Sequence, residues 1–149
     1  MRLWHYYLIP YLPRQQLVAQ WRECCAIARN WAKNGTPNHI LVNKVMNYSV
    51  DHLRQYTDIV LYEFNKRGYK TTSTARDNFY SNLKIIEANH NIVDKYDMVF
   101  EDWHNNTYLR ECLYNLEEKA MCGGLTSDEW AVIYNKYNKY FDLWNSEEE

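Results

Sequence analysis

The sequence of 149 residues is poor in glycine and proline and contains no long hydrophobic run. Four Gly and three Pro are fewer than average usage supplies. This shortage argues against turn-rich β-sandwiches and barrels and favours helices. No apolar stretch approaches the roughly 18 residues that a membrane span needs, and residues 3–12 are too short, too rich in tyrosine and too interrupted by Pro10 for a signal peptide. We therefore expect a soluble, cytoplasmic, all-α protein.

Motifs for several common chemistries are also missing. The sequence has no glycine-rich phosphate loop, no His-Glu-x-x-His zinc motif and no nucleophile elbow. Its four cysteines match no zinc spacing, and without a secretory signal they are expected to be reduced and mostly buried. The sequence therefore predicts neither a metal site nor a cofactor.

The net charge of −2 hides a segregation of charge along the chain. Residues 1–76 carry eleven Lys or Arg and four acids, a formal charge of +7. Residues 77–149 carry six basic residues and fifteen acids, a formal charge of −9. The first half is therefore a candidate surface for a polyanion, or the two halves attract each other within one globule. Residues 146–149 are expected to form a solvated tail.

Aromatic residues are abundant, with 14 Tyr and six Trp but only four Phe. Tyr and Trp suit positions where one end of the side chain is apolar and the other polar. They are expected either in a small core built from large rings or on surfaces where flat ligands stack. In the last predicted helix they would alternatively form a surface that faces a protein partner.

Hydrophobic periodicity predicts five helices in a single compact domain over residues 1–149. Residues 35–48 are expected to be a loop followed by a short helix over residues 40–46, and no strand is favoured. The five predicted helices cover residues 13–29, 49–66, 77–89, 107–121 and 126–144.

Local signals mark the ends of these predicted helices. Pro13 suits the first turn of a helix, where no backbone donor is needed. Gly68 and Gly123 are natural helix stops. Thr126 and Glu129 have the spacing of a capping box at the start of the last helix.

The first predicted helix also carries charged residues that stand outside its apolar stripe. Arg22 and Arg29 are seven residues apart and therefore share a face. Glu23 lies about 100° around the axis, on a stripe of small or polar residues, so its carboxylate is placed to line a cleft. The same pattern is also typical of an ordinary solvated helix surface.

Segments of the first half resemble the pyrimidine-dimer DNA glycosylase (endonuclease V) family of phages and bacteria. Residues 17–23, LVAQWRE, are similar to the family's first-helix motif, which ends in Arg-Glu at this distance from the N-terminus. Residues 53–69 are similar to its long middle helix with a Lys-Arg-Gly-aromatic ending. The opening MRLWH and residues 9–18, IPYLPRQQLV, are similar to an uncharacterised bacterial branch. The resemblance covers roughly residues 1–70, with a weaker likeness of residues 130–140 to the family's DNA-contacting tail.

The resemblance implies a DNA-repair glycosylase with AP lyase activity on a damaged or modified base. In this family the α-amine of the chain attacks the sugar C1′ and forms a Schiff base. A carboxylate beside it stabilises the cationic sugar and then takes a C2′ proton. Glu23 matches this carboxylate and Met1 carries the amine, whose ordinary pKa is about 7.7–8.0. Arg2 and Arg22 are nearby cations that would lower the pKa of the amine.

Two questions stay open at the level of sequence. The family exposes a small second residue by removing Met1, whereas the second residue here is the bulky Arg2, so the identity of the nucleophilic nitrogen is undecided. The alternative function is non-catalytic binding of DNA or a nucleotide in the same cleft, with arginines on phosphate and rings on a base. No pattern indicates the lesion or the oligomeric state. The residues expected to bind nucleic acid or phosphate are Arg2, His5, Arg22 and Arg29.

Overall fold

The structure is a computed structural model that describes residues 2–90 and 92–142. Within these ranges the chain forms five α-helices, three 3-10 helices and no strand, which confirms the predicted all-α class. The α-helices are α1 (Arg14–Asn34), α2 (Val50–Arg67), α3 (Ser73–Asn89), α4 (Asn106–Met121) and α5 (Ser127–Tyr137). The 3-10 helices are Tyr6–Tyr11, Asn43–Asn47 and Asn138–Asp142.

α1 is longer than predicted. Pro13 directly precedes it, but the predicted end at Arg29 is wrong, because the helix continues to Asn34. No helix breaker occurs before Gly35, which adopts a left-handed φ of 77° and ends the helix. The additional turn buries the Trp31 ring, which continues the apolar stripe.

α2 matches its prediction within one residue at each end, and Gly68 ends it with a φ of 78°. α3 starts four residues before the predicted start at Asp77. The reason is a cap that the prediction did not include, since the Thr72 hydroxyl accepts the backbone N–H of Ala75 at 3.1 Å. The short helix expected over residues 40–46 is a 3-10 turn at Asn43–Asn47.

The capping box predicted for the last helix is present, with bonds in both directions between Thr126 and Glu129. The predicted continuation as a helix to residue 144 is wrong, because α5 ends at Tyr137 and the chain then tightens into a 3-10 turn. This turn places the Phe141 ring edge-on to Tyr114 of α4, with centroids 5.1 Å apart. Residues 143–149, which include the predicted tail, lie outside the described residues.

The aromatic stripe of α5 lies partly in the core. Tyr137 is buried, and its hydroxyl donates to the Tyr7 carbonyl at 2.9 Å. Tyr134 remains exposed. Tyr137 therefore packs against the N-terminal 3-10 helix Tyr6–Tyr11, whereas a partner-facing role for the remaining rings of α5 stays a prediction.

Residues 2–5 run between α1 and α4 without regular secondary structure, and they position the candidate site. Leu3 is completely buried. On one side, the backbone of Arg2 and Trp4 bonds to side chains of α1. On the other side, the Tyr108 hydroxyl of α4 donates to the Leu3 carbonyl at 2.6 Å. Residues 2–4 are thus held from both sides.

A buried pair holds the loop after α3 to α2. Asp94 accepts the backbone N–H of Ser49 at 2.6 Å and faces His52 Nε2 at 3.2 Å. Because His52 Nδ1 accepts the backbone N–H of Phe100 at 2.9 Å, Nε2 is the ring nitrogen that donates to the carboxylate. The pair and the bond to Phe100 therefore hold the segment between α3 and α4 against α2.

Cys24 and Cys112 are buried, Cys25 is half-buried and Cys122 is exposed, all as free thiols. Over residues 2–90 and 92–142, no helix is long and apolar enough to cross a membrane, and no three His, Cys, Asp or Glu side chains gather as metal ligands would.

Candidate active site

Glu23 lies in the middle of α1 and joins the start of the chain to a surface cavity. Its side chain is half-buried, and its Oε2 accepts the backbone N–H of Arg2 at 3.1 Å. Glu23 also lines the cavity beside α1. The stripe on which the sequence places Glu23 therefore does border a cleft, as expected.

Gln20, one turn earlier on α1, is fully buried and connects this carboxylate to the backbone of residues 2–4. Its Nε2 donates to the Arg2 carbonyl at 2.8 Å and to Glu23 Oε2 at 3.0 Å. Its Oε1 accepts the Trp4 N–H at 2.8 Å and faces the Tyr56 hydroxyl at 2.8 Å. We call Arg2, Trp4, Gln20, Glu23 and Tyr56 the Gln20 network.

Sequence reasoning missed Gln20 and Tyr56, although each leaves a signal. Gln20 stands at i+3 from Leu17 and i−4 from Cys24, so a polar side chain occupies the buried stripe of α1. Tyr56 likewise falls on the buried stripe of α2. A buried amide requires partners for all of its donors and acceptors, which is the property that marks this network.

The cavity has a volume of about 510 Å³ and lies mainly against α1. Among the described residues that line it, Glu23 is the sole acid, and Arg22 and Arg29 supply two cations. Both arginines are exposed, and neither forms an ion pair with a described residue. Two guanidinium groups beside one carboxylate favour an anionic ligand that approaches Glu23.

The cavity continues along the seam between α1 and α3. A neighbouring cavity of about 420 Å³ shares Cys25, Arg29 and Ala75 with it and extends to Asn82. Burial raises the pKa of the Cys25 thiol to about 11, although the Arg29 charge opposes this shift. The thiol is therefore neutral near pH 7 and is not an activated nucleophile.

The other predicted site residues are placed differently. Arg2 contributes its backbone to the network, while its guanidinium lies over the Trp4 ring at 5.7 Å. His5 is 1% exposed, donates from Nε2 to the His104 carbonyl at 3.0 Å and accepts the Tyr7 N–H at Nδ1. In this arrangement His5 offers no ring nitrogen to a phosphate, and its expected contact with nucleic acid stays a prediction. Met1, the predicted nucleophile, lies outside the described residues.

Comparison of the sequence with known proteins identifies a family for this chain. A sequence model of the family described as pyrimidine dimer DNA glycosylase matches residues 1–77, just over half of the chain. The matched residues include the whole Gln20 network as well as Arg22 and Arg29. No curated protein and no solved structure matches the chain. The chain therefore belongs to the pyrimidine dimer DNA glycosylase family, and this membership indicates a DNA glycosylase-type function with DNA as the substrate.

Proposed function

We propose that the protein is a DNA glycosylase and AP lyase, with an amine at the start of the chain as nucleophile and Glu23 as catalytic carboxylate. The observation that carries this proposal is the 3.1 Å contact between the Arg2 backbone nitrogen and Glu23 Oε2, in a side chain that lines a cavity. A nitrogen and a carboxylate held together beside an open cavity suit imine chemistry on an extruded nucleotide.

Two nitrogens are candidates for the nucleophile. If Met1 is removed, the nitrogen of Arg2 becomes the α-amine and already lies beside Glu23. If Met1 is retained, its α-nitrogen is joined to the Arg2 nitrogen through only three covalent bonds. In both cases an α-amine with an ordinary pKa of about 7.7–8.0 has a useful neutral fraction near pH 7.

The proposed reaction needs only these two groups. The amine nitrogen bonds to C1′ of the damaged nucleotide, the bond from C1′ to the base breaks, and the base leaves with the proton that the amine loses. The bond from C1′ to O4′ then breaks, O4′ takes a proton from the solvent, and the nitrogen lone pair forms the C=N bond of the protonated imine. The protonated imine acidifies C2′, and Glu23 takes the C2′ proton. The released electron pair forms the C1′–C2′ enamine and then expels the 3′-phosphate, which cleaves the strand. Water finally hydrolyses the imine and restores the amine.

The cavity supports the binding half of this proposal. Its volume of about 510 Å³ lies within the range of about 300–1,000 Å³ that small-molecule ligand pockets span. Arg22 and Arg29 would hold flanking phosphates, since guanidinium groups pair well with phosphate oxygens. Phosphate contacts fix the position of the strand without reading its sequence.

Borohydride trapping tests the proposal directly. The protein is incubated with a duplex that contains one abasic site, which tests the amine and Glu23 without knowledge of the lesion. We expect a borohydride-dependent protein–DNA adduct, and mass mapping of the adduct identifies Met1 or Arg2 as its attachment point. A chain extended by a short Gly-Ser segment before Met1 is the control, because its amine is moved away from Glu23.

The opposite results would overturn the proposal. Equal trapping of the extended and original chains would show that an amine elsewhere reacts. No adduct, together with tight nucleotide or DNA binding that the extension leaves unchanged, would favour the non-catalytic alternative instead.

A further inference from the structure

The Gln20 carboxamide uses all of its hydrogen-bonding groups on the start of the chain and on Glu23. Both Nε2 hydrogens have acceptors, one on the Arg2 carbonyl at 2.8 Å and one on Glu23 Oε2 at 3.0 Å. The Trp4 N–H occupies Oε1 at 2.8 Å. The hydrogen bonds of this one side chain therefore fix the distance between the backbone of residues 2–4 and the Glu23 carboxylate.

The orientation of this carboxamide is fixed by its neighbours. A flip would point Oε1 at two other oxygens, the Arg2 carbonyl and the Glu23 carboxylate, and would point Nε2 at the Trp4 N–H. The buried Tyr56 hydroxyl lies 2.6 Å from the Trp4 carbonyl and 2.8 Å from Gln20 Oε1, and its one proton serves either acceptor. Only the observed orientation gives every group a partner.

Among the described residues, only one of the two Glu23 carboxylate oxygens has hydrogen-bond partners. Oε2 of Glu23 accepts from both Arg2 and Gln20, whereas Oε1 makes no hydrogen bond within residues 2–90 and 92–142. The side chain that carries this free oxygen lines the cavity. Fixing Oε2 therefore leaves Oε1 as the atom that can accept a proton from a substrate.

We propose that Gln20, oriented by the Tyr56 hydroxyl, is a positioning residue that holds the start of the chain at Glu23 Oε2 and leaves Oε1 for the substrate. This inference rests on the proposed function, because it assigns Gln20 a part in the same reaction. Gln20 touches neither the cavity nor any expected ligand position, so it acts through Glu23 and the backbone of Arg2. Its loss should change the rate of the chemical step more than the affinity for DNA.

Gln20→Met tests the inference, because methionine keeps the length and volume of the side chain and removes its hydrogen bonds. Gln55→Met is the matched control, since Gln55 is exposed on α2 and its side chain makes no hydrogen bond with a described residue. With the abasic duplex, we expect the single-turnover cleavage rate of Gln20→Met to fall about 10- to 100-fold, as expected for misplaced reacting groups. The Kd for the duplex should stay within about twofold of the original protein.

Amide hydrogen exchange gives a readout that does not depend on activity. We expect the Trp4 amide, whose N–H bonds to Gln20 Oε1, to exchange at least about tenfold faster in Gln20→Met and at an unchanged rate in Gln55→Met. Tyr56→Phe is the milder variant, because the Trp4 N–H still holds Oε1. Its cleavage rate should fall by about three- to tenfold, which keeps the test decisive even if Gln20→Met does not fold.

Each other outcome has a definite meaning. Unchanged cleavage in Gln20→Met with faster exchange would make the contact merely structural and overturn the positioning role. An equal loss of DNA affinity and cleavage rate would also overturn the positioning role, because positioning predicts a loss in the cleavage rate alone. If the original protein neither cleaves nor traps the duplex, both the proposed function and the catalytic part of this inference are wrong. The exchange rates would still decide whether Gln20 holds residues 2–4.

Discussion

Residues 2–7 pass through two polar networks, and the networks differ in where they end. The Gln20 network bonds to the backbone of Arg2 and Trp4 and ends at Glu23, which lines a cavity. The next residues are held by a second network, in which His104 Nδ1 accepts the Tyr6 N–H at 3.2 Å and the His104 carbonyl accepts from His5. We call His5, Tyr6, Tyr7 and His104 the His5 network.

The difference teaches that burial and hydrogen bonding alone do not mark a functional site. The His5 network is enclosed by aromatic rings, with the Trp103, Tyr108 and Phe100 centroids 4.9, 4.9 and 5.2 Å from that of His104. Burial lowers the pKa of His5 to about 4 and that of His104 to about 2, so both rings are neutral near pH 7. The Gln20 network instead includes Glu23, which lines a cavity and whose Oε1 makes no hydrogen bond with a described residue.

Glu23→Gln gives the largest expected effect. Glutamine keeps an oxygen for the Arg2 N–H but cannot take a proton from C2′, so we expect strand cleavage to fall by about 10²–10⁴-fold. Glu63→Gln is the matched control, because the Glu63 carboxylate is buried and pairs with Arg67 Nε at 2.8 Å away from the cavity. It should lose about 1–3 kcal/mol of unfolding free energy and keep its cleavage rate per folded molecule. Equal cleavage by the Glu23→Gln variant and the original protein would remove Glu23 from the mechanism.

Acid should weaken the fold through the His5 network. Because both folded pKa values lie below the ordinary 6.5, the unfolded chain binds more protons than the folded chain as the pH falls below 6.5. Each histidine then removes up to about 1.4 kcal/mol of unfolding free energy per pH unit between pH 6.5 and about 4. Urea unfolding at steps of pH measures this slope.

His5→Asn sharpens that measurement. Asparagine can still accept the Tyr7 N–H at the start of the 3-10 helix, but it does not titrate. The slope of unfolding free energy against pH should therefore be smaller in the variant. Parallel curves for the two proteins would show that His5 contributes nothing to acid sensitivity.

The sequence predicted the helices and the position of Glu23 beside a cleft, but it did not predict the hydrogen bonds of either network. Apolar spacing and helix stops located the five helices, and the stripe of Glu23 indicated a cleft, because both depend on residues close together in the chain. The bond from Arg2 to Glu23 spans 21 positions and that from Tyr6 to His104 spans 98, so no local pattern encodes either one. His5 is among the residues predicted to bind nucleic acid, and no local pattern in the sequence indicates that its ring is buried.

Arg22 and Arg29 should affect binding without affecting the fold, which separates them from both networks. Since neither has an ion-pair partner among the described residues, alanine at either position should leave the unfolding free energy nearly unchanged. Each loss should weaken duplex binding by about tenfold and lower the slope of log K against log salt by about 1. Arg54→Ala, which removes a cation paired with Asp51 on α2, is the control and should keep the original slope. Slopes that do not differ among the three variants would place the DNA elsewhere.

Tyr108→Phe has the smallest expected effect and probes the boundary between the networks. Its hydroxyl donates to the Leu3 carbonyl at 2.6 Å, while its ring lies against His104. Losing this one bond should cost about 0.5–1.5 kcal/mol of unfolding free energy. Gln20 still holds the residues on either side of Leu3 in this variant. Cleavage should therefore fall less than in Tyr56→Phe, which also removes one hydroxyl that bonds to the backbone of residues 2–5. A larger loss of cleavage in Tyr108→Phe would show that α4, and not Gln20, sets the position of the start of the chain.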